Sequence, residues 1–140
     1  MGLPNNVKQQ PDLLEHLFWF NKARGRTFFQ TIYLKKDIYD DLKSGSPAPE
    51  NLSVLAHEQT HIERIKKIGI TKYSFKYFFF GKFRFNEELE ANKAAFRILK
   101  KHKVEVDLTR KARILSSWIY LWPVSYNYAL DHLKKSWEEV

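Results

Sequence analysis

Apolar residues recur at helical spacing through the second two thirds of the chain. From Glu50 to Ile68 they fall at Leu52, Leu55, Ile62 and Ile65, and Gly69 follows where a helix would end on a left-handed residue. From Phe85 to Lys101 the stripe is Leu89, Phe96 and Leu99. A third helix is predicted from an Asp107 or Thr109 cap to about Trp122, where Pro123 breaks it. A fourth covers Val124 to Glu138, with Tyr126, Leu130, Leu133 and Trp137 in register.

The first third follows other periods. Pro11-Asp12 can open a helix carrying Leu13, Leu14, Leu17 and Phe18, although His16 to Lys22 fits equally the first arm of a hairpin. After the turn residues Arg24-Gly25-Arg26, the β-branched and aromatic run Thr27 to Leu34 reads as one strand. Asp37 to Lys43 is a short helical turn, and Ser44 to Pro49 is a loop. The expectation is an α+β fold, mostly helical with a small N-terminal sheet, in a single domain over residues 1–140.

Composition narrows the chemistry. The 140 residues contain no cysteine, so thiolate zinc fingers, iron–sulfur clusters and cysteine nucleophiles are excluded, and a metal site must use His and carboxylates. No apolar run approaches the ~18 residues of a membrane span, and the start lacks a signal peptide's apolar core, so a cytoplasmic protein is expected. The net charge of +8 is concentrated between Ile62 and Arg113, where fifteen Lys/Arg less six acids give +9. Such a field attracts anionic partners, nucleic acid among them, although solvated helix faces explain it as well.

Within the Glu50–Ile68 helix, residues 57–61 read His-Glu-Gln-Thr-His. Positions i and i+4 share a helix face with Cβ atoms ~5–6 Å apart, so His57 and His61 can reach one Zn²⁺. Glu58 is one residue round the helix, badly placed to ligate the same ion but able to hold a water on it. That water, its pKa lowered towards ~7, becomes a nucleophile with Glu58 as proton acceptor. A catalytic zinc wants a third protein ligand. The segment Asn86-Glu87-Glu88-Leu89-Glu90-Ala91-Asn92 offers one from a second helix. Successive residues there are about 100° apart, so one acid at most points squarely at the histidines. Glu88 shares its face with Asn92 and Ala95, Glu90 should face solvent among Lys93 and Arg97, and Glu87 is the fallback. Asn92 would then hydrogen-bond a ligand.

An HExxH helix followed by a second helix bearing ExEAN resembles the gluzincin metallopeptidases, in their minimal, minigluzincin-like size. The resemblance covers roughly residues 27 to 100. It implies a zincin-like fold, zinc held by His57, His61 and Glu88, Glu58 as general base and acid, and peptide-bond hydrolysis by zinc-bound water. It also implies a substrate that is an extended peptide or unfolded protein paired with the Thr27–Leu34 strand. It departs at Asn92, where many gluzincins carry Asp, and this weakens the support of the ligands. Tyr73, Tyr77, Tyr120, Tyr126, Tyr128 and His102 are all eligible to steady an oxyanion, and spacing selects none of them. His16 and His132 read as structural.

The tract from Tyr73 to Phe85 is dense in aromatics interleaved with Lys76, Lys82 and Arg84. Most of these rings are expected to fill the core between the two metal-bearing helices. A stacking surface for single-stranded nucleic acid or an interfacial membrane patch is the competing account. The second functional reading is correspondingly a zinc-binding interaction module that uses this basic, aromatic surface and has little catalytic activity.

Overall fold

In the computed structural model, which describes residues 2–15 and 23–140, a three-stranded sheet precedes an array of helices. The elements in chain order are β1 (Val7–Gln9), α1 (Asp12–Glu15), β2 (Gly25–Phe28), β3 (Thr31–Leu34), α2 (Lys36–Lys43), α3 (Pro49–Ile68), α4 (Ile70–Phe79), α5 (Gly81–Lys101) and α6 (Leu108–Leu115). A 3₁₀ turn (Trp118–Tyr120) and α7 (Tyr126–Glu139) complete the chain. The α+β, mostly helical expectation holds. Leu17, Phe18 and the alternative arm His16 to Lys22 lie outside the described residues.

The predicted strand Thr27 to Leu34 is instead a hairpin. Its turn is Phe29-Gln30, with Phe29 at φ +53, a position that two-residue hairpins usually give to Gly or Asn. Apolar Phe29 therefore concealed the turn from pattern reading. β3 is the central strand, paired antiparallel with β2 (Thr27 opposite Ile32) and parallel with β1 (Val7 opposite Ile32), and β1 was not anticipated.

Two apolar clusters anchor the helices. Val7, Ile32 and Leu34 from the sheet pack with Ile38 and Leu42 of α2 and Ile62 of α3. Phe85 and Phe96 of α5 pack with Ala112 and Leu115 of α6 and Ala129 and Leu133 of α7. Between the clusters, α3 and α5 form the most extensive helix pairing in the molecule. Pro49 sits in the first turn of α3, where its missing N–H costs nothing. The preceding backbone is tied down by Asp41, whose carboxylate accepts from Ala48 N–H (2.9 Å) and Asn51 Nδ2 (2.7 Å). Gly69 alone, at φ +91, separates α3 from α4, and Phe80 alone separates α4 from α5.

Two further expectations change. The third helix stops at Leu115, well before Trp122. There the Ser116 and Ser117 hydroxyls bond back to the Ala112 (2.8 Å) and Ile114 (2.6 Å) carbonyls, the local competition by which serine loosens a helix end. The aromatic tract does not fill the core: Tyr73 and Phe85 are buried, but Phe75, Phe78, Phe79 and Phe80 are exposed. α4 is a single helix whose inward side has room for few of them.

Close approach of β2 to α3 requires Gly25. A Cβ there would lie 2.9 Å from Leu34 Cδ2, 3.0 Å from Val54 Cγ1 and 3.1 Å from Glu58 Cγ. Gly25→Ala is expected to destabilise the fold by about 1–3 kcal/mol through overpacking, read as a lowered denaturant midpoint at unchanged slope.

Candidate metal centre

His57 and His61 project from the middle of α3, and Glu88 meets them from the first half of α5. Glu88 Oε2 lies 3.3 Å from His57 Nε2, and Glu88 Oε1 lies 3.4 Å from His61 Nε2. The two Nε2 atoms are 3.3 Å apart, and one ligand atom from each of the three residues falls within 4.8 Å of the others. Glu88 and His61 are buried, while His57 keeps 19% of its side chain exposed, so the cluster opens to solvent on the His57 side. The three residues expected to share a metal are thus brought together. Buried Ala91 and Ala95, one and two turns on from Glu88, keep α5 slim along its packed surface.

The donor set is also chemically apt. Two imidazole nitrogens and one carboxylate suit Zn²⁺ with an open fourth position. Glu88 Oε2 is buried and makes no hydrogen bond, so a lone pair is left aimed at the histidines, where a cation would satisfy it.

Supporting contacts come from residues that spacing did not select. Tyr77 of α4 donates to Glu88 Oε1 at 2.5 Å, and the Tyr73 hydroxyl lies 3.2 Å from His61 Nδ1. A partner on the second ring nitrogen fixes how an imidazole presents its first. Tyr120 also reaches Glu88, whose charge, followed by burial, pushes the phenol well above its ordinary range. Burial, then the Glu88 charge, does the same for Tyr77. Both phenols are held protonated, as donors. Tyr126, Tyr128 and His102, which were equally eligible by spacing, stand elsewhere: Tyr126 packs against the second core, Tyr128 stacks on His132 at 4.0 Å, and His102 caps the end of α5.

Asn92 does not contact a ligand side chain. Its Nδ2 donates to the Glu88 carbonyl (2.8 Å), and its Oδ1 accepts from half-buried Lys111 (3.1 Å), so it ties α6 to α5. Glu87, the fallback ligand, is committed to Arg64, which donates to both its oxygens at 2.7 and 2.9 Å. Glu90 is half exposed and 3.4 Å from Lys93. Glu58 is buried beside the cluster, outside the triad, and its Oε2 accepts from Thr27 Oγ1 at 2.7 Å. Thr27 therefore links the hairpin to the HExxH helix, a pairing that strand pattern alone could not reveal.

Charge is concentrated here. Burial alone would favour a neutral His61, but Glu88, aided by Glu58 and Glu87, outweighs it and raises the imidazole to about 9. Burial would likewise push the Glu88 carboxyl up, yet the two imidazoles hold it well below the usual carboxylate range. No protein-family profile, curated protein or solved structure matches the chain.

Glu88→Ala is expected to lower zinc affinity by about 100-fold or more, beyond the ~10–100-fold that lost supporting contacts cost. Glu87→Ala and Glu90→Ala should stay within about tenfold, with Glu87→Ala losing thermal stability through its orphaned arginine. Equal affinities in titrations of all three would move the third ligand elsewhere.

The raised His61 pKa gives the metal-free protein a stabilisation that is complete below about 6.5 and is lost as pH rises through about 9. Metal must displace that proton, so zinc affinity should climb about tenfold per pH unit between roughly 7 and 9 while the metal-free melting temperature falls. A pH-independent affinity over that window would remove the protonated His61 from the account.

Proposed function

We propose that the protein is a zinc-dependent peptidase of gluzincin type. The observation that carries this reading is the position of Glu58: a buried carboxylate next to the His57–His61–Glu88 cluster, outside the ligand set, and oriented by Thr27. Burying this acid outside the ligand set is costly, the single Thr27 hydroxyl offsets only part of that cost, and a role in handling the attacking water's proton accounts for its placement.

Zinc held by His57, His61 and Glu88 would supply a Lewis acid for the scissile carbonyl and bring the pKa of a coordinated water towards ~7. The remaining steps belong to the protein. Glu58 takes the proton of the attacking water and returns it to the amine nitrogen as the C–N bond breaks. Thr27 Oγ1 holds one Glu58 oxygen, which leaves the other carboxylate oxygen for that transfer. Tyr77 and Tyr73 keep Glu88 and His61 in their orientations, and Tyr120 stands beside Glu88 as a protonated donor. The proposed substrate is an extended peptide or unfolded segment, as peptides that pair with an exposed strand edge are.

Glu58→Gln should abolish cleavage of an unfolded protein substrate while leaving zinc stoichiometry at that of the parent, because this residue handles the proton and not the metal. Thr27→Val should lower kcat by about 10–100-fold with zinc still bound. Chelation should stop cleavage and lower the melting temperature, since the ligands lie on two helices that the metal joins. A parent protein that binds zinc tightly yet cleaves no unfolded chain would transfer the assignment to a metal-binding interaction module.

A further inference from the structure

Helix α4 is amphipathic in the reverse of the usual sense. Tyr73 and Tyr77 turn inward to His61 and Glu88, and at about 100° per residue Phe75, Phe78 and Phe79 fall on the opposite side. Phe78 and Phe79 are 73% and 70% exposed, and Phe75 and Phe80 are more than half exposed. These rings pack on one another instead of on a core, with centroids 4.9 Å apart for Phe75–Phe79 and 6.3 Å for Phe78–Phe79.

A second segment joins them. The guanidinium of buried Arg84 donates to the carbonyls of Tyr77, Phe78 (3.3 Å) and Tyr120 (2.8 Å), which locks the end of α4 to the last residue of the 3₁₀ turn. On the neighbouring residue Gly81, a Cβ would lie 3.0 Å from Pro123 Cα, so the two backbones touch at the Phe80 corner. Leu121 and Trp122 are thereby brought to that corner. Both are exposed, and both are held at positive φ (58° and 44°), a conformation costly for residues with side chains. The chain keeps a leucine and a tryptophan facing solvent on strained backbone where Gly would be relaxed.

The surroundings carry one sign of charge. No acid occurs between Arg64 and Asn86, a stretch that contains Lys66, Lys67, Lys72, Lys76 and Lys82. Lys72 and Lys82 are exposed, and Lys76 extends over the Phe83 ring. Exposed Phe, Leu and Trp collected at one corner and ringed by lysines match the composition of a surface that enters the headgroup region of a bilayer.

We propose that this corner is a docking surface for an anionic lipid bilayer. Phe78, Phe79 and Trp122 enter the boundary between headgroups and acyl chains, and Lys72, Lys76 and Lys82 neutralise lipid phosphates. Single-stranded nucleic acid fits less well. Base stacking needs ring faces set out along a groove, whereas these rings tilt against one another at 43° and 52° on a protruding corner, Leu121 has no ring to offer, and Arg84 is spent on carbonyls. A second copy of the chain would bring one lysine rim against another. No helix among the described residues is long and apolar enough to cross a membrane, so the contact is interfacial.

The test mixes the whole protein with vesicles of phosphatidylcholine alone and of phosphatidylcholine with phosphatidylglycerol. The expected result is salt-sensitive co-sedimentation with the mixed vesicles, a blue shift of tryptophan emission, and quenching by brominated lipid that disappears in Trp122→Phe. Phe78→Ser combined with Phe79→Ser should weaken partitioning tenfold or more. Exchanging Lys72, Lys76 and Lys82 for Gln should remove most of the preference for the anionic vesicles, at about fivefold per lysine. Should the double Phe variant melt early, Trp122→Ser gives the same reading from the other segment. Failure to bind anionic vesicles at low salt, or equal binding by the variants, overturns the proposal. Aromatic-dependent binding to a single-stranded oligonucleotide in place of vesicles overturns it too, as does a dimer dissolved by Phe78→Ser. Glu58→Gln and chelator leave the expected vesicle binding unchanged, so this result stands or falls apart from the peptidase reading.

Discussion

Everything around the candidate metal centre depends on one carboxylate. Glu88 is wholly enclosed, carries its charge into the interface between α3 and α5, and meets two imidazoles there. A buried ion of this kind is tolerable only when paired and hydrogen-bonded, because removing one partner of a buried pair costs about 3–5 kcal/mol. The protein meets that constraint with His57, His61 and Tyr77, and with Tyr120 beside them. The Arg64–Glu87 pair, on the same two helices, is a second buried acid answered by a cation. The helix pairing is therefore electrostatically specific: sliding one helix by a turn would strand both acids at once.

That specificity explains the placement of the two apolar clusters. Each lies on the outer side of one of the two helices that carry the candidate ligands: the sheet and α2 support α3, while α6 and α7 support α5. Between them lie the polar residues of the site, alongside small Ala91 and Ala95, and packing outside fixes their positions. A site built on two helices backed by separate cores is held rigidly, as ligand geometry within a few tenths of an ångström demands. The hairpin adds the remaining piece. Gly25 lets β2 come close enough for Thr27 to reach Glu58, so one small residue and one hydroxyl set where the free carboxylate points.

Much of this was legible in the sequence because helical periodicity and i, i+4 spacing are local. The extents of α3 and, within two residues, α7 and the face shared by His57 and His61 follow from spacing within one element, whereas α5 begins at Gly81, one turn before the expected Phe85. The choice of Glu88 over Glu87 and Glu90 followed from rotation about a single helix axis. What escaped was contact between elements. Thr27, Tyr73 and Tyr77 are ordinary residues in their own segments, and their roles exist only after β2 and α4 are laid against α3 and α5. The hairpin turn escaped because Phe29 occupies a left-handed position without the Gly or Asn that signals one. The Asn92 expectation failed for a related reason: its neighbour across the packing is Lys111, 19 residues on.

The aromatic tract shows where composition misleads. Eleven phenylalanines suggest a large core, but a short helix such as α4, with single-residue corners at Gly69 and Phe80, has only one inward face. That face is given to tyrosines, because the neighbours it meets are His61 and a charged Glu88 that need hydroxyl donors. The phenylalanines are left on the outer face, where water is a poor partner for them. The same geometry that supports the candidate ligands thus generates an apolar surface outside. Arg84 fixes the end of α4 through main-chain carbonyls, so the position of the outer rings and that of Tyr77 are set by the same packed helix.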